Sequence, residues 1–320
     1  MAFFDRLRTA LRKYEDGVHE VGDAVDAKSL KAAERRIGRS LPTGLSDLYR
    51  SFDGIRLFCE TYTIWGTDGI SSSDLDDGLI AIGEGPEGLL FVDKKGIVFL
   101  REEAGDSILA GTTLERFLDA VLAREALLVD REGEFKEVFE PTGEIDLKVR
   151  AKRAQVAIKL DGGAALWHFD AAETALESGE AEAAEAALER ALKADEHATA
   201  AWAFLGALRR LRDAQDAEDC FVRSAAGGLA EVRAERLAEA ARLALERGDE
   251  RARRSHADSS RKYDETLAER FFEEAQSLRK NGDDEGALSR AALSSALDPN
   301  GEATALLDEL RRRRKLPVLK

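Results

Sequence analysis

The sequence predicts a two-part chain: an α+β front, with helices and an antiparallel sheet, followed by an all-α solenoid of stacked helix pairs. Three observations carry that prediction. Gly179, Asp213, Gly248 and Gly282 fall at intervals of 34, 35 and 34 residues, each in a short polar break between two Ala/Leu-rich stretches of helical spacing. Well ahead of them, between Leu57 and Leu100, runs of β-branched and aromatic residues are separated by Gly- and Asp-bearing turns. Helical stretches stand before and after those runs, an order that argues for α+β rather than alternating βα units.

The front elements follow in order. Lys28–Ile37 reads as a helix, ended by Gly38-Arg39-Ser40-Leu41-Pro42, and a second helix runs from about Thr43 to Phe52. Leu57 to Trp65 reads as a strand and Leu79–Ile82 as a short apolar one. Gly88–Val92 and Ile97–Leu100 flank Asp93-Lys94-Lys95-Gly96, a hairpin turn with glycine at its left-handed corner. Thr113–Arg124 is a helix capped by Thr112 or Thr113, with Glu115 nearby.

Leu30 and Glu34 with Ile37-Gly38, then Leu41-Pro42, Tyr49, Phe52-Asp53-Gly54, the Leu89–Leu100 hairpin and Thr113-Leu114-Glu115-Arg116-Phe117-Leu118 together resemble the SUKH superfamily over roughly residues 25–125. The specificity of that resemblance lies in the order of short motifs. It implies binding rather than chemistry. Many bacterial members look like immunity proteins seated on a toxin domain, often a nuclease or deaminase; eukaryotic members act as regulatory scaffolds, and the family shares no catalytic constellation. Simple immunity proteins are usually single domains, and here a second part is attached.

Ile145–Leu160 reads as a joining helix, broken by Asp161-Gly162-Gly163. The expected layout is a front domain over 1–144, this joiner over 145–164, and repeats over 165–315. In the first repeat, Ala165–Ser178 and Ala181–Ala194 are the two helices, with Ala172, Ala184 and Ala191 as the small residues where they touch. Trp202, Leu205 and Gly206, then Ala217, Phe221 and Ser224, mark the second. Leu237, Ala240, Ala241 and Gly248 fit the third, where Arg253 replaces a small residue and a distorted turn is expected. Phe271, Ala275, Leu278, Gly282, Ala287 and Asp298-Pro299-Asn300 mark the fourth, and Glu302–Lys315 is a capping helix whose terminal cations suit the negative end of its dipole. This half resembles the tetratricopeptide family, whose helix pairs bury their apolar faces only by stacking on neighbours. The extra residue between Asp213 and Gly248 makes the middle of the stack the expected place for a bend.

Net charge is -15, and residues 1–150 carry 20 basic and 30 acidic side chains. Between Arg56 and Lys94 there are eight acids and no Lys or Arg. Such a surface disfavours nucleic acid and anionic lipid and steers cationic partners; acidic loops also simply keep proteins soluble. No apolar run suggests a leader or a membrane span, and Cys59 and Cys220 form no disulfide framework, so a cytoplasmic, bacterial protein is the expectation. His19, His168, His197 and His256 are scattered without metal-ligand spacing, His168 and Cys220 sit at core positions, and Gly83-x-Gly85 and Gly105–Gly111 lack phosphate-loop spacing. The reading is a non-enzyme without cofactor or metal, binding protein rather than nucleic acid, membrane or small molecule.

Two surfaces follow. In the front domain, Tyr62, Trp65, Asp68, Asp74, Asp76 and Asp77 would meet a basic partner, a toxin domain included, with an aromatic anchor inside a ring of acids. The competing reading makes Tyr62 and Trp65 strand core. In the repeats, register places Phe169, Glu173, Arg210, Phe272, Gln276 and Arg279 along a concave groove for a peptide. Against this, Ala200, Ala203 and Ala207 would let the array close on itself or on the front domain. The function expected is an immunity-type or adaptor protein; the alternative is a scaffold that assembles with itself or organises a larger machine, unrelated to toxins.

Overall fold

The computed structural model describes residues 2–73, 78–140, 142–210, 212, 214–314 and 316. By contacts the chain forms two compact units: Met1–Glu103 with Ser107–Ala198, and Ala104–Asp106 with Thr199–Lys320.

The first unit opens with α1 (Ala2–Leu11), which buries Phe4, Leu7 and Leu11, a 3-4 spacing that puts them on one face. Next come β1 (Glu20–Val21), α2 (Ala27–Ile37) and α3 (Thr43–Tyr49). Asp26 caps α2 by accepting from Ser29 N at 2.7 Å, an interaction worth about 1 kcal/mol. Gly38 ends the helix in the left-handed region at φ 73°. The Glu34 carboxylate accepts from Leu41 N at 3.1 Å, and Pro42 opens α3. Glu34, Gly38, Leu41 and Pro42 therefore build the α2–α3 corner.

Seven strands form a continuous antiparallel path: β1, β2 (Ile55–Leu57), β3 (Tyr62–Ile64), β5 (Ile80–Gly85), β6 (Gly88–Val92), β7 (Val98–Arg101) and β8 (Ser107–Gly111); β4 (Ser71–Ser72) pairs with β5 off that path. The expected strand from Leu57 to Trp65 is instead two strands joined by a reversal. Phe58, Cys59 and Glu60 all take positive φ, at 51°, 52° and 69°. No glycine announces this turn, so it was invisible as a pattern. It is held by its surroundings: Phe58 is buried, Phe58 N donates to His19 Nδ1 at 3.2 Å, and Thr61 Oγ1 donates to Phe58 O at 2.7 Å. Burial holds the His19 imidazole down to about 4, so it is a neutral acceptor.

α4 (Leu114–Glu125) is capped by Thr113, whose hydroxyl accepts from Arg116 N at 3.2 Å. α5 (Leu147–Leu160), α6 (Ala165–Glu177) and α7 (Ala181–Ala194) complete this unit. The first helix pair is thus built onto the sheet. Trp167 of α6 is fully buried, stacks on Phe117 of α4 with ring centroids 6.1 Å apart, and has the Arg124 guanidinium 5.0 Å from its centroid. Arg124 pairs with Asp170 of α6 at 2.8 Å, and Arg153 of α5 with Glu125 at 2.6 Å. At the sheet edge, the Asp195 carboxylate accepts from Leu109 N at 2.9 Å. Asp161, fully buried, accepts from Thr112 N at 2.7 Å and Thr112 Oγ1 at 2.6 Å.

The second unit holds α8 (Thr199–Arg209), α9 (Ala214–Ser224), α10 (Ala230–Glu246), α11 (Glu250–Arg261), α12 (Leu267–Lys280), α13 (Asp284–Leu297) and α14 (Glu302–Arg313). Small residues lie at its helix crossings: Ala234, Ala238, Ala241, Ala257 and Ala296 pack with Leu267, Phe271, Leu293 and Leu297 in one core cluster. The third pair is not distorted. The extra length is absorbed in α10, 17 residues long, and Arg253 is a buried strut. It is 3% exposed, with Nη1 donating to Ala296 O at 2.6 Å and Nε donating to Glu250 at 2.7 Å. Arg236 pairs with Asp106 in the same unit through both carboxylate oxygens.

Candidate functional site

The Asp53-Gly54 corner after α3 positions a depression in the first unit. Gly54 adopts φ +92°, and a Cβ there would lie 2.9 Å from both Gly66 N and Ile64 O. At Gly22 a Cβ would lie 2.3 Å from Asp53 O. Three chain segments therefore meet at distances that only glycine permits. The following loop is pinned from several sides: Asp53 Oδ1 accepts from Thr67 N at 2.6 Å, the Tyr49 hydroxyl donates to Trp65 O at 2.9 Å, and Arg36 donates to Ile70 O at 2.8 Å and to Thr67 O at 2.6 Å. Burial first, then the Asp53 charge, pushes the Tyr49 phenol up, which keeps it a proton donor.

The depression encloses about 570 Å³ and is lined by Trp65 with Glu20, Asp53, Asp68 and Arg56 as its charged groups. Arg56 is committed to acids, at 3.1 Å from Glu20 and 2.9 Å from Glu60. Trp65 is half-buried and Asp68 is exposed. Carboxylates beside a half-buried tryptophan suit an ammonium or guanidinium group, through charge-assisted hydrogen bonds and cation–π attraction.

Of the residues expected at this surface, Trp65 and Asp68 are brought together here. Tyr62 is not at the surface. It is 2% exposed, its ring meets Phe117 edge-on at 6.2 Å, and burial raises its phenol well above the usual value. The strand alternation that leaves Thr63 half-buried on the other face turns Tyr62 inward, the core reading the sequence had left open. Asp74, Asp76 and Asp77 lie outside the described residues. Glu20 was missed because β1 carries no strand signal, and Arg56 because the expected strand began at Leu57, one residue beyond it; Asp53 was legible only as a turn residue.

The residues expected along the repeat groove differ in exposure within each unit. Phe169, on α6, is buried at 6% exposure. Glu173, on the same helix, is partly buried, and burial followed by the neighbouring Asp170 charge raises its carboxyl to about 7. In the second unit, Phe272 packs against the cluster that includes Leu306, Leu307 and Leu310 of α14. Arg279 is engaged by Glu309 at 2.7 Å, so its guanidinium already has its carboxylate. Arg210 and Gln276 are exposed. Cys220 is buried, and burial raises its thiol. His168 is buried with Nε2 3.0 Å from Gly162 O. Among the described residues, no three His, Cys, Asp or Glu side chains are grouped to hold a metal, and no helix is long and apolar enough to cross a membrane.

No protein-family model matches the sequence, and no curated protein matches it. Among solved structures, the chain is similar to YrrB, a TPR protein with an unusual peptide-binding site, at 17% identity and TM-score 0.35, covering 53% of this chain and 84% of that one. It is similar to PilF of Pseudomonas aeruginosa at 14% identity and TM-score 0.36, covering 53% and 78%. The assembly chaperone of RpL4, Acl4, aligns at 16% identity and TM-score 0.37, covering 52% and 78%. The assignment of the helix pairs rests on the chain itself, where the second helices begin at Ala181, Ala214, Glu250 and Asp284 with alanines buried at the crossings.

Proposed function

We propose that this is a non-catalytic protein-recognition protein, of adaptor or immunity type, whose SUKH-like front domain binds a basic protein partner at the Asp53-Gly54 corner and whose tetratricopeptide-like helix pairs extend or position that interaction. One observation carries the reading: a half-buried tryptophan, Trp65, shares the lining of a depression of about 570 Å³ with Glu20, Asp53 and Asp68, and the single arginine of that lining is already held by acids. Acid groups around an aromatic anchor raise the encounter rate with a cationic surface and then give it a place to bury one side chain. A toxin domain of the basic nuclease kind has the matching chemistry.

The test is affinity capture with the full chain and with a Trp65→Ala/Asp68→Lys variant as parallel baits, each washed at low and at high salt. A partner with a cationic contact surface, retained by the parent, released by salt and absent from the variant, is the expected result. A partner set identical for the two baits would refute this placement of the interface.

A further inference from the structure

Residues 126–146 join α4 to α5 and hold seven acids and two bases. Two short turns order this segment. Asp130 N donates to Glu134 O at 2.9 Å, and Asp130 Oδ1 accepts from the amides of Glu132 and Glu134, each at 3.0 Å. Glu140 N donates to Glu144 O at 2.7 Å, while Lys136 N donates to Leu128 O and Asp146 N to Val138 O, both at 2.8 Å. Gly133, at φ +84°, sits so close to Val18 that a Cβ would lie 2.7 Å from its methyl. The segment is thus tied to itself and to the body of its unit.

What this backbone presents is apolar. Phe135 and Phe139 meet edge to face with ring centroids 5.1 Å apart, yet they are 67% and 41% exposed. Phe135 is the most exposed large hydrophobic side chain among the described residues. Two rings held in contact on an ordered loop form a preorganised anchor pair, and a pair left in water loses the burial that usually justifies phenylalanine. Interleaved with them are the exposed carboxylates of Glu132, Glu134, Glu137, Glu140 and Glu144. The two cations of the segment, both exposed, donate to backbone carbonyls: Lys136 Nζ to Ala126 O at 2.7 Å, and Arg131 Nε to Lys13 O at 3.1 Å, so five glutamates face two lone cations.

We propose that Phe135 and Phe139 form a docking surface for a basic peptide segment of another protein, one that places large apolar side chains against the two rings and lysines or arginines against the surrounding glutamates. Charge selects this occupant. A second copy of the chain would set the same acids against one another across a two-fold contact, at a net charge of -15 per copy. The surface is separate in residues from the Trp65 depression and does not depend on that reading.

The experiment pans a random peptide display library on the full chain, after depletion on a Phe135→Ser/Phe139→Ser variant. The best enriched peptide is then titrated by fluorescence anisotropy against the parent, that variant, a Glu134→Gln/Glu137→Gln/Glu140→Gln variant and Trp65→Ala. Thermal unfolding of each variant checks that these exposed substitutions leave the fold intact. Expected are cationic peptides carrying at least one large apolar residue, bound at least about tenfold more weakly by the phenylalanine variant, with shallower salt dependence in the glutamine variant and unchanged affinity in Trp65→Ala. Several results overturn the proposal: no enrichment, enriched peptides without cations, affinity within about twofold for the phenylalanine variant, loss of binding in Trp65→Ala, or self-association of the parent that the phenylalanine substitutions abolish.

Discussion

Replacing Trp167 with alanine removes a side chain that joins the first helix pair to α4. Trp167 is fully buried, stacked on Phe117 and capped by the Arg124 guanidinium. Truncating a buried tryptophan costs about 3–5 kcal/mol, and loss of a desolvated cation–π contact adds about 1 kcal/mol. The sum, about 4–6 kcal/mol, is a large part of the stability of an ordinary domain. The chain has three tryptophans, Trp65 and Trp167 in the first unit and Trp202 in the second, so the substitution leaves one fluorescent reporter in each unit. Urea unfolding in Trp202→Phe and Trp65→Phe backgrounds then follows the units separately. With a slope of about 2–3 kcal/mol/M, the midpoint reported by Trp65 falls by about 2 M. If it falls by less than about 0.4 M, the first helix pair does not contribute to the stability of the sheet unit and the reasoning fails.

Two further substitutions test the energetics inside each unit. Burial raises the Glu173 carboxyl to about 7 from an ordinary value near 4.5; the native state therefore binds this proton more tightly than the unfolded chain, and stability is lost as pH rises from 4.5 through 7. Glu173→Gln should flatten that slope, with a gain of about 2 kcal/mol at pH 8 after discounting for partial exposure and little change at pH 4.5; identical pH profiles for variant and parent between pH 5 and 8 would count against it. At Arg253 the repeat pattern asks for a small residue, so pattern alone predicts that Arg253→Ala stabilises. Because the guanidinium satisfies Ala296 O from a buried position, the structure predicts a loss of about 2–3 kcal/mol, read from the Trp202 unfolding transition; a gain would refute the strut.

How much was legible varies with the origin of each signal. The α2–α3 corner was readable because Gly38 and Pro42 act through their own backbone restrictions. Strands β1 and β8 were not, because two to five residues of mixed polarity carry too little pattern. The reversal at Phe58 to Glu60 contradicts local preference and exists because His19, Thr61 and the core hold it. At the depression, Trp65 and Asp68 could be named from an acidic stretch around an aromatic, whereas Glu20 comes from a distant strand. The buried Arg253 looked like a defect because a sequence pattern records size at a position and not the carbonyl waiting opposite.

By itself the sequence determined the elements whose cause is local or periodic: the helix pairs, their alanine contacts, the glycine corners and the acidic excess of the front half. Only tertiary structure decided which faces stay open. Register made Phe169 a groove residue, but the folded chain buries it; composition gave Phe135 and Phe139 no distinction, but the turns around them left both rings in water. Periodicity specifies which side of an element is apolar, while the identity of the neighbour that covers it depends on residues far away in the chain.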